Sequence, residues 1–485
     1  MNGPVRRVAI ACLVMFGALL VNANVVQVGQ ADSLRRKPEN ARQLTERLQR
    51  ERGPIVVAGT RVAESRPSND DFKFQRFYPG GALYSGVTGY YTLFTATGVE
   101  RSEDDVLSGE DDRLFVSRLS DLITGRRSRG GTVVLTLDPR AQFAAASSLG
   151  ERRGAVAALD PRTGAVLALV TNPRFDPNPL TSHDAQVATQ AFERLAGTET
   201  APLLNRATQR TYPPGSLFKV VTAAAALTSG RFTPDTAIPA PDVFPLPQST
   251  ATLRNFGGSR CSAGGTMTLA DALRISCNTA FGILGGEIGE GALRRQAQAF
   301  GFGRAVPDFA VPSAASRFPT DPDAAQLALS AIGQFDVAAT PMQAAMVVAG
   351  VANDGRLMKP YLVSETQRPD LTLLAKTRPE ELSRPLAAPA ADQLTDMMVQ
   401  VVERGTGRAA RLPGVRVAGK TGTAEHAPGR PPHAWFAGFA PADDPRVAVA
   451  VVVEDGGDRG SEATGGTVAA PIARAVLAAM LQEPR

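Results

Sequence analysis

Ligands for metals are scarce in this sequence. Its 485 residues include three cysteines and three histidines, and His183, His426 and His433 do not fall at metal-ligand spacing. No metal and no cofactor is expected. His426 and His433 fall in a Pro/Gly-rich loop that reads as solvent-exposed. A large excess of charge of one sign is lacking as well: 52 Lys and Arg stand against 47 Asp and Glu. The formal net charge of +5 is too dilute to imply a nucleic-acid partner, and it suits an anionic envelope surface equally. There is no internal repeat and no acidic or basic tail. The 46 glycines and 36 prolines follow no collagen-like period and mark many turns. What is present is apolar: 43% of residues against 20% charged, which fills a sizeable core and excludes wholesale disorder. The length predicts two or three structural units.

One apolar run stands out, Val8 to Val21, preceded by Arg6 and Arg7. Extended through Asn22, Asn24 and Gln27 to about residue 28, it is long enough as a helix to cross a ~30 Å hydrocarbon layer. It reads as a membrane anchor with a cytoplasmic tip, since positive charge stays inside. A cleaved signal peptide is the competing reading, but no small-x-small cleavage site lies near its end. With Cys12 in the run, Cys261 and Cys277 remain outside; their spacing permits a disulfide and equally permits two reduced, buried thiols.

Beyond the run, Asp32 to Arg52 is charged and reads as a helix or stalk. Pro54–Ala58 and Arg61–Glu64 read as short strands, and an aromatic segment with a Pro/Gly turn follows from Phe72 to Tyr91. A basic, glycine-rich stretch at Arg126–Gly131 precedes the β-like Thr132–Leu137. Gly154–Leu159 and Ala165–Val170 then form a hairpin around Asp160-Pro-Arg-Thr-Gly164. Arg446–Val453 is another strand pattern and Ala469–Met480 a terminal helix. Helical stretches fall near 217–229, 267–276, 292–299, 324–332 and 341–353. Residues 365–390 are polar with scattered prolines and read as a loop. Strands at both ends with helices between predict an α+β fold rather than a regular βαβ repeat.

Three segments carry chemistry. In Thr211-Tyr-Pro-Pro-Gly-Ser-Leu-Phe-Lys219 a Pro/Gly turn feeds a helix read from Ser216 to Leu227, and spacing three puts Ser216 and Lys219 on one face. Serine needs a base to act as a nucleophile at neutral pH, and a partly desolvated lysine can serve. Ser276-Cys277-Asn278 ends the helical stretch from Thr268. Ser276 and Asn278 face one cleft if the chain leaves the helix there; otherwise Asn278 only caps it. In Val417-Ala-Gly-Lys-Thr-Gly-Thr-Ala424 the period of a strand places Thr421 and Thr423 on one face, with Gly422 leaving the other bare. Beside Lys420 they make a seat for a carboxylate. Gly414 to Thr421 also matches a phosphate-loop pattern, but its middle is strand-like and Gly422 starts a helix poorly.

In this order, S-x-x-K, S-x-N and K-T-G-T resemble the signature of penicillin-binding proteins and serine β-lactamases, with Cys277 where the S-D-N form has Asp. Asn205-Arg206-Ala207, Ile332-Gly-Gln334, Thr340-Pro-Met-Gln343, Asn353-Asp-Gly355 and Trp435-Phe-Ala-Gly-Phe439 extend the resemblance. In particular the chain resembles monofunctional class B transpeptidases of the actinobacterial penicillin-binding protein A type. The resemblance implies an anchor over 1–29, a small mixed non-catalytic pedestal over 30–135 and a transpeptidase domain over 136–485, an antiparallel sheet flanked by helices.

The same resemblance implies a D,D-transpeptidase that cross-links peptidoglycan stem peptides and is acylated by β-lactams. Ser216 would be the nucleophile, Lys219 its base, and Ser276 with Lys420 a proton shuttle. Asn278 would hold a substrate amide, and Thr421, Gly422 and Thr423 would bind the terminal carboxylate. The backbone N–H groups of Ser216 and Thr423 would form the oxyanion hole. A Cys261–Cys277 bridge would brace the site from behind, with the Cys277 side chain turned away from it. The region before the transpeptidase is too short for a glycosyltransferase domain. The implied partners are therefore a membrane glycosyltransferase, its lipid-linked precursor, and division or elongation proteins, with the catalytic domain outside the plasma membrane. A hydrolytic β-lactamase or carboxypeptidase and a non-catalytic scaffold are the rival readings.

Overall fold

A computed structural model describes residues 2–25, 48–114 and 129–482. The helix Asn2–Asn24 carries the N-terminal apolar run, and from Gly3 onward it is long and apolar enough to cross a membrane. Its expected extension to residue 28, most of the charged stalk and the start of the Arg126–Gly131 stretch lie outside the described residues.

The C-terminal part is built on a five-stranded antiparallel sheet in the order Ala418–Ala424, His433–Ala440, Val447–Val453, Gly154–Leu159, Val166–Asn172. The strand Val447–Val453 is buried at every position, which explains its unbroken apolar reading: both faces are covered. Val449, Val451 and Val453 pack with the helices Pro139–Leu149 and Ala470–Leu481 on one side. Ala448, Ala450 and Val452 face the core that contains Pro341–Ala352. Alanines on that face let a helix buried along its whole length lie close to the sheet.

The second sheet has six strands in the order Leu373–Lys376, Val363–Gln367, Thr132–Leu135, Ile55–Val57, Thr60–Pro67, Phe74–Phe77. Ile55–Val57 runs parallel to Thr132–Leu135; the other pairings are antiparallel. Residues 365–390, expected as a loop, hold two of these strands. A third, Glu381–Ser383, pairs with Leu357–Met358, and the helix Ala388–Arg404 begins in the same stretch. The polar composition misled because Val363–Gln367 and Leu373–Lys376 lie at and next to a sheet edge, where few side chains are buried. The unit expected over 30–135 therefore does not close its sheet alone: a hairpin from within the stretch expected over 136–485 completes it.

Candidate active site

The segment before Ser216 is fixed from several sides. Pro213 and Pro214 restrict the backbone, and the Pro213 carbonyl accepts from Trp435 Nε1 at 3.0 Å. Gly215 has φ of 53°, and a Cβ on it would sit 2.7 Å from the Thr423 carbonyl oxygen. Its N–H donates to the Gly333 carbonyl at 3.0 Å. From there the chain makes a 3₁₀ turn, Gly215–Phe218, before the α-helix Lys219–Thr228. The expected single α-helix from Ser216 is therefore corrected at its first turn. Three residues per turn aligns Ser216 with Lys219.

Lys219 and Lys420 are both fully buried. Lys219 Nζ donates to the Ser276 carbonyl at 2.7 Å, to Asn278 Oδ1 at 2.7 Å and to Ser276 Oγ at 3.3 Å. Lys420 Nζ donates to Ser276 Oγ at 2.9 Å and to the Thr421 carbonyl at 2.9 Å. One hydroxyl therefore stands between two amines. Burial, and then the neighbouring Lys420, holds the Lys219 amine well below its ordinary range; burial brings Lys420 down to about 7. Sequence spacing suggested that Lys219 would meet the Ser216 hydroxyl directly. Among the described residues no hydrogen bond joins them, because the amine is directed at Ser276 and Asn278.

Ser276 occupies this position by ending the helix Leu269–Ile275 in the left-handed conformation (φ 65°, ψ 40°), at a cost of about 1–2 kcal/mol for a non-glycine residue. The chain does leave the helix there, and Asn278 starts the next one, Asn278–Ile288. The first N–H groups of that helix, on Asn278 and Thr279, donate to Asn255 Oδ1 at 2.9 and 3.2 Å. Asn278 Nδ2 donates to the Arg254 carbonyl at 3.0 Å. On the strand side, Gly422 lets the sheet edge approach the turn that carries Ser216, since a Cβ there would lie 2.7 Å from the Pro214 carbonyl. The face expected to be bare is thus the contact face.

A cleft of about 1090 Å³ joins these parts, lined among others by Ser216, Ser276, Asn278, Thr421 and Thr423. Cys261 and Cys277 form a disulfide. Both residues border the cleft, and Cys277 is buried.

The sequence matches the family described as the penicillin binding protein transpeptidase domain over residues 154–478. The chain belongs to the penicillin-binding transpeptidase family. Residues 52–133 match the penicillin binding protein A dimerisation domain. Among curated relatives, the peptidoglycan D,D-transpeptidase PbpA of Mycolicibacterium smegmatis is 48% identical over 494 residues, covering 100% of both chains. Its namesake from Mycobacterium tuberculosis is 45% identical over 99% of each chain. Penicillin-binding protein A of M. tuberculosis, solved as its penicillin G acyl-enzyme complex, superposes with a TM-score of 0.84 at 45% identity, covering 89% of this chain and 100% of that one. Its imipenem acyl-enzyme complex gives 0.85 at 44% identity, covering 90% and 100%.

In this penicillin-binding transpeptidase, sequence reasoning missed Asn255 and Thr406. Asn255 caps a helix more than twenty positions away and gives no local signal. Thr406, exposed on the cleft wall, lies 2.6 Å from Thr421, hydroxyl to hydroxyl; its Gly-Thr-Gly setting between a helix and a strand was the available cue. Of the two histidines expected to be exposed, His426 is so, and His433 is the correction. His433 is buried, and burial followed by the nearby His426 lowers it to about 4. The two rings stack at 3.9 Å, 3° apart, and His426 Nε2 lies 3.0 Å from Asp455 Oδ1. These three residues gather within ligand distance of one another. Parallel stacked rings direct their in-plane lone pairs along parallel planes, however, and not at a common point, and His433 Nδ1 already accepts from the Asp455 N–H at 3.1 Å.

Proposed function

We propose that this chain is a membrane-anchored peptidoglycan D,D-transpeptidase acting through an acyl-enzyme on Ser216. The observation that carries this reading is the Ser276 hydroxyl held between two buried lysines in the cleft that exposes Ser216. Ser216 Oγ attacks the carbonyl between the two terminal D-alanines; an ester forms, the C–N bond breaks and D-alanine leaves. Lys219 takes the hydroxyl proton. As an ammonium it spends three donors on Ser276 O, Asn278 Oδ1 and Ser276 Oγ. As a neutral amine it has two, so the weak 3.3 Å contact is the one given up while the lone pair turns to take the Ser216 proton; the ammonium so formed donates to Ser276 Oγ, and Ser276 passes its own proton to the leaving amine. Lys420 stabilises that hydroxyl as the proton passes. General acid–base transfer of this kind contributes roughly 10²–10⁴-fold.

Thr421 and Thr423 bind the substrate carboxylate beside Gly422. Asn278 orients Lys219 and offers its second amide hydrogen to a substrate carbonyl. The N–H groups of Ser216 and Thr423 receive the developing oxyanion. An acceptor amine from a second stem peptide then attacks the ester and restores Ser216; a β-lactam leaves a slowly resolved adduct on the same oxygen. The Arg6–Arg7 side of the anchor lies in the cytoplasm and the catalytic domain outside. The lipid-linked precursor, a membrane glycosyltransferase and division or elongation proteins are the partners this role requires.

Labelling with a fluorescent penicillin, followed by intact mass, tests the reading. One adduct per chain, absent in Ser216→Ala, is expected. Labelling that survives that substitution, or rapid release of hydrolysed drug, overturns it.

A further inference from the structure

The strand threonines do not stand alone. Thr406 follows the helix Ala388–Arg404 and its cap Gly405, and its side chain lies on the cleft wall with its hydroxyl 2.6 Å from that of Thr421. Its backbone is pinned from two sides. The N–H donates to the Arg274 carbonyl, in the helix that Ser276 ends, at 3.4 Å. The carbonyl oxygen backs onto Gly466, where a Cβ would come within 2.5 Å of it. The same glycine loop supplies the Gly465 N–H, which donates to Thr423 Oγ1 at 3.4 Å. Each strand threonine therefore has a hydrogen-bonded neighbour at the cleft wall.

A hydroxyl has one proton and two acceptor positions. With Gly465 N–H donating to Thr423, the Thr423 proton is left for the cleft. In the Thr406–Thr421 pair only one proton lies between the oxygens, so the other remains for a ligand whichever residue donates. The two arrangements together present two O–H donors on one wall of the cleft, the complement an acceptor-only carboxylate calls for. Without the Thr406 hydroxyl, Thr421 is free to turn its proton away. A hydrogen bond to a charged acceptor is worth about 1.5–3 kcal/mol, and a polarised chain strengthens it.

We propose that Thr406 is a specificity-determining residue of this site: its hydroxyl pairs with that of Thr421 so that one of the two always donates into the cleft, and this completes a seat selective for ligands carrying a terminal carboxylate. The inference rests on the D,D-transpeptidase reading above.

The test measures the second-order rate of Ser216 acylation by a penicillin and by the methyl ester of the same penicillin, in the full-length protein. For Thr406→Val, acylation by the free acid falls about tenfold or more, and the ester rate changes less than about twofold. For Thr406→Ser, the free-acid rate returns to within about threefold of the parent. Equal losses for acid and ester, or no loss for the acid, overturn the proposal, as does a serine variant as slow as the valine one. Melting temperatures of both variants within a degree or two of the parent assign the loss to the missing hydroxyl, and a valine variant that melts several degrees lower with equal acid and ester losses counts against it. Failure of the parent protein to be labelled at Ser216 instead removes the reading on which the proposal rests.

Discussion

The buried lysines bear the consequence that is easiest to measure residue by residue. Lys420 is lowered from the ordinary 10.5 to about 7 by burial. Between those values the unfolded chain holds a proton that the folded chain has shed, so stability rises with pH across that window. Lys420→Met removes the contribution, and a plot of melting temperature against pH from 7 to 10 is expected to be flatter for the variant. An unchanged slope would show that the amine is not desolvated as described. The three segments that border the cleft were legible in the sequence because each stands in a short spaced motif. Their pairing was not. Spacing alone joined Lys219 to Ser216, whereas the fold turns its amine to Ser276 and Asn278, groups from a segment whose approach no local pattern encodes. Asn255 and Thr406 were missed for the same reason: each acts across a long stretch of sequence.

Among the secondary-structure elements, the site depends on a sheet edge lying hard against a turn. Gly422 and Gly215 are the points of contact, and a methyl group at 422 would meet both the Pro214 carbonyl at 2.7 Å and the Trp435 Cβ at 3.0 Å. Gly422→Ala is therefore expected to push the strand and the Ser216 turn apart and to slow penicillin acylation at least about tenfold, while melting shifts by only a few degrees. Acylation at the parent rate would mean that the turn yields freely. The central strands and the helices near 217–229, 267–276, 292–299, 324–332 and 341–353 were readable from their apolar pattern: Gly154–Leu159 has the bounds the sequence suggested, and Val447–Val453 differs by one residue. The helices Pro139–Leu149, Ala185–Ala196 and Asn278–Ile288 were not read; others were missed where the surface is wet, as in Ala388–Arg404, of which less than half is buried, and the edge strands after residue 363.

For the whole molecule, the boundary drawn at 135/136 passes through a shared sheet. Thr132–Leu135 pairs on one side with Ile55–Val57 and on the other with Val363–Gln367. A fragment of residues 136–485 would leave Val363–Gln367 without that neighbour, an open edge that invites aggregation. It is expected to be poorly soluble or to melt well below a chain beginning near residue 48, which would show one cooperative calorimetric transition. A soluble fragment as stable as the longer chain would make the shared sheet energetically idle.

The hairpin that crosses from one lobe to the other also bears on heredity. Recombination that exchanges the catalytic stretch as one uninterrupted piece brings two strands of the donor's pedestal into the recipient's. Hybrids between distant relatives therefore succeed only where those strands and their new neighbours still match, which ties the drift of one lobe to that of the other.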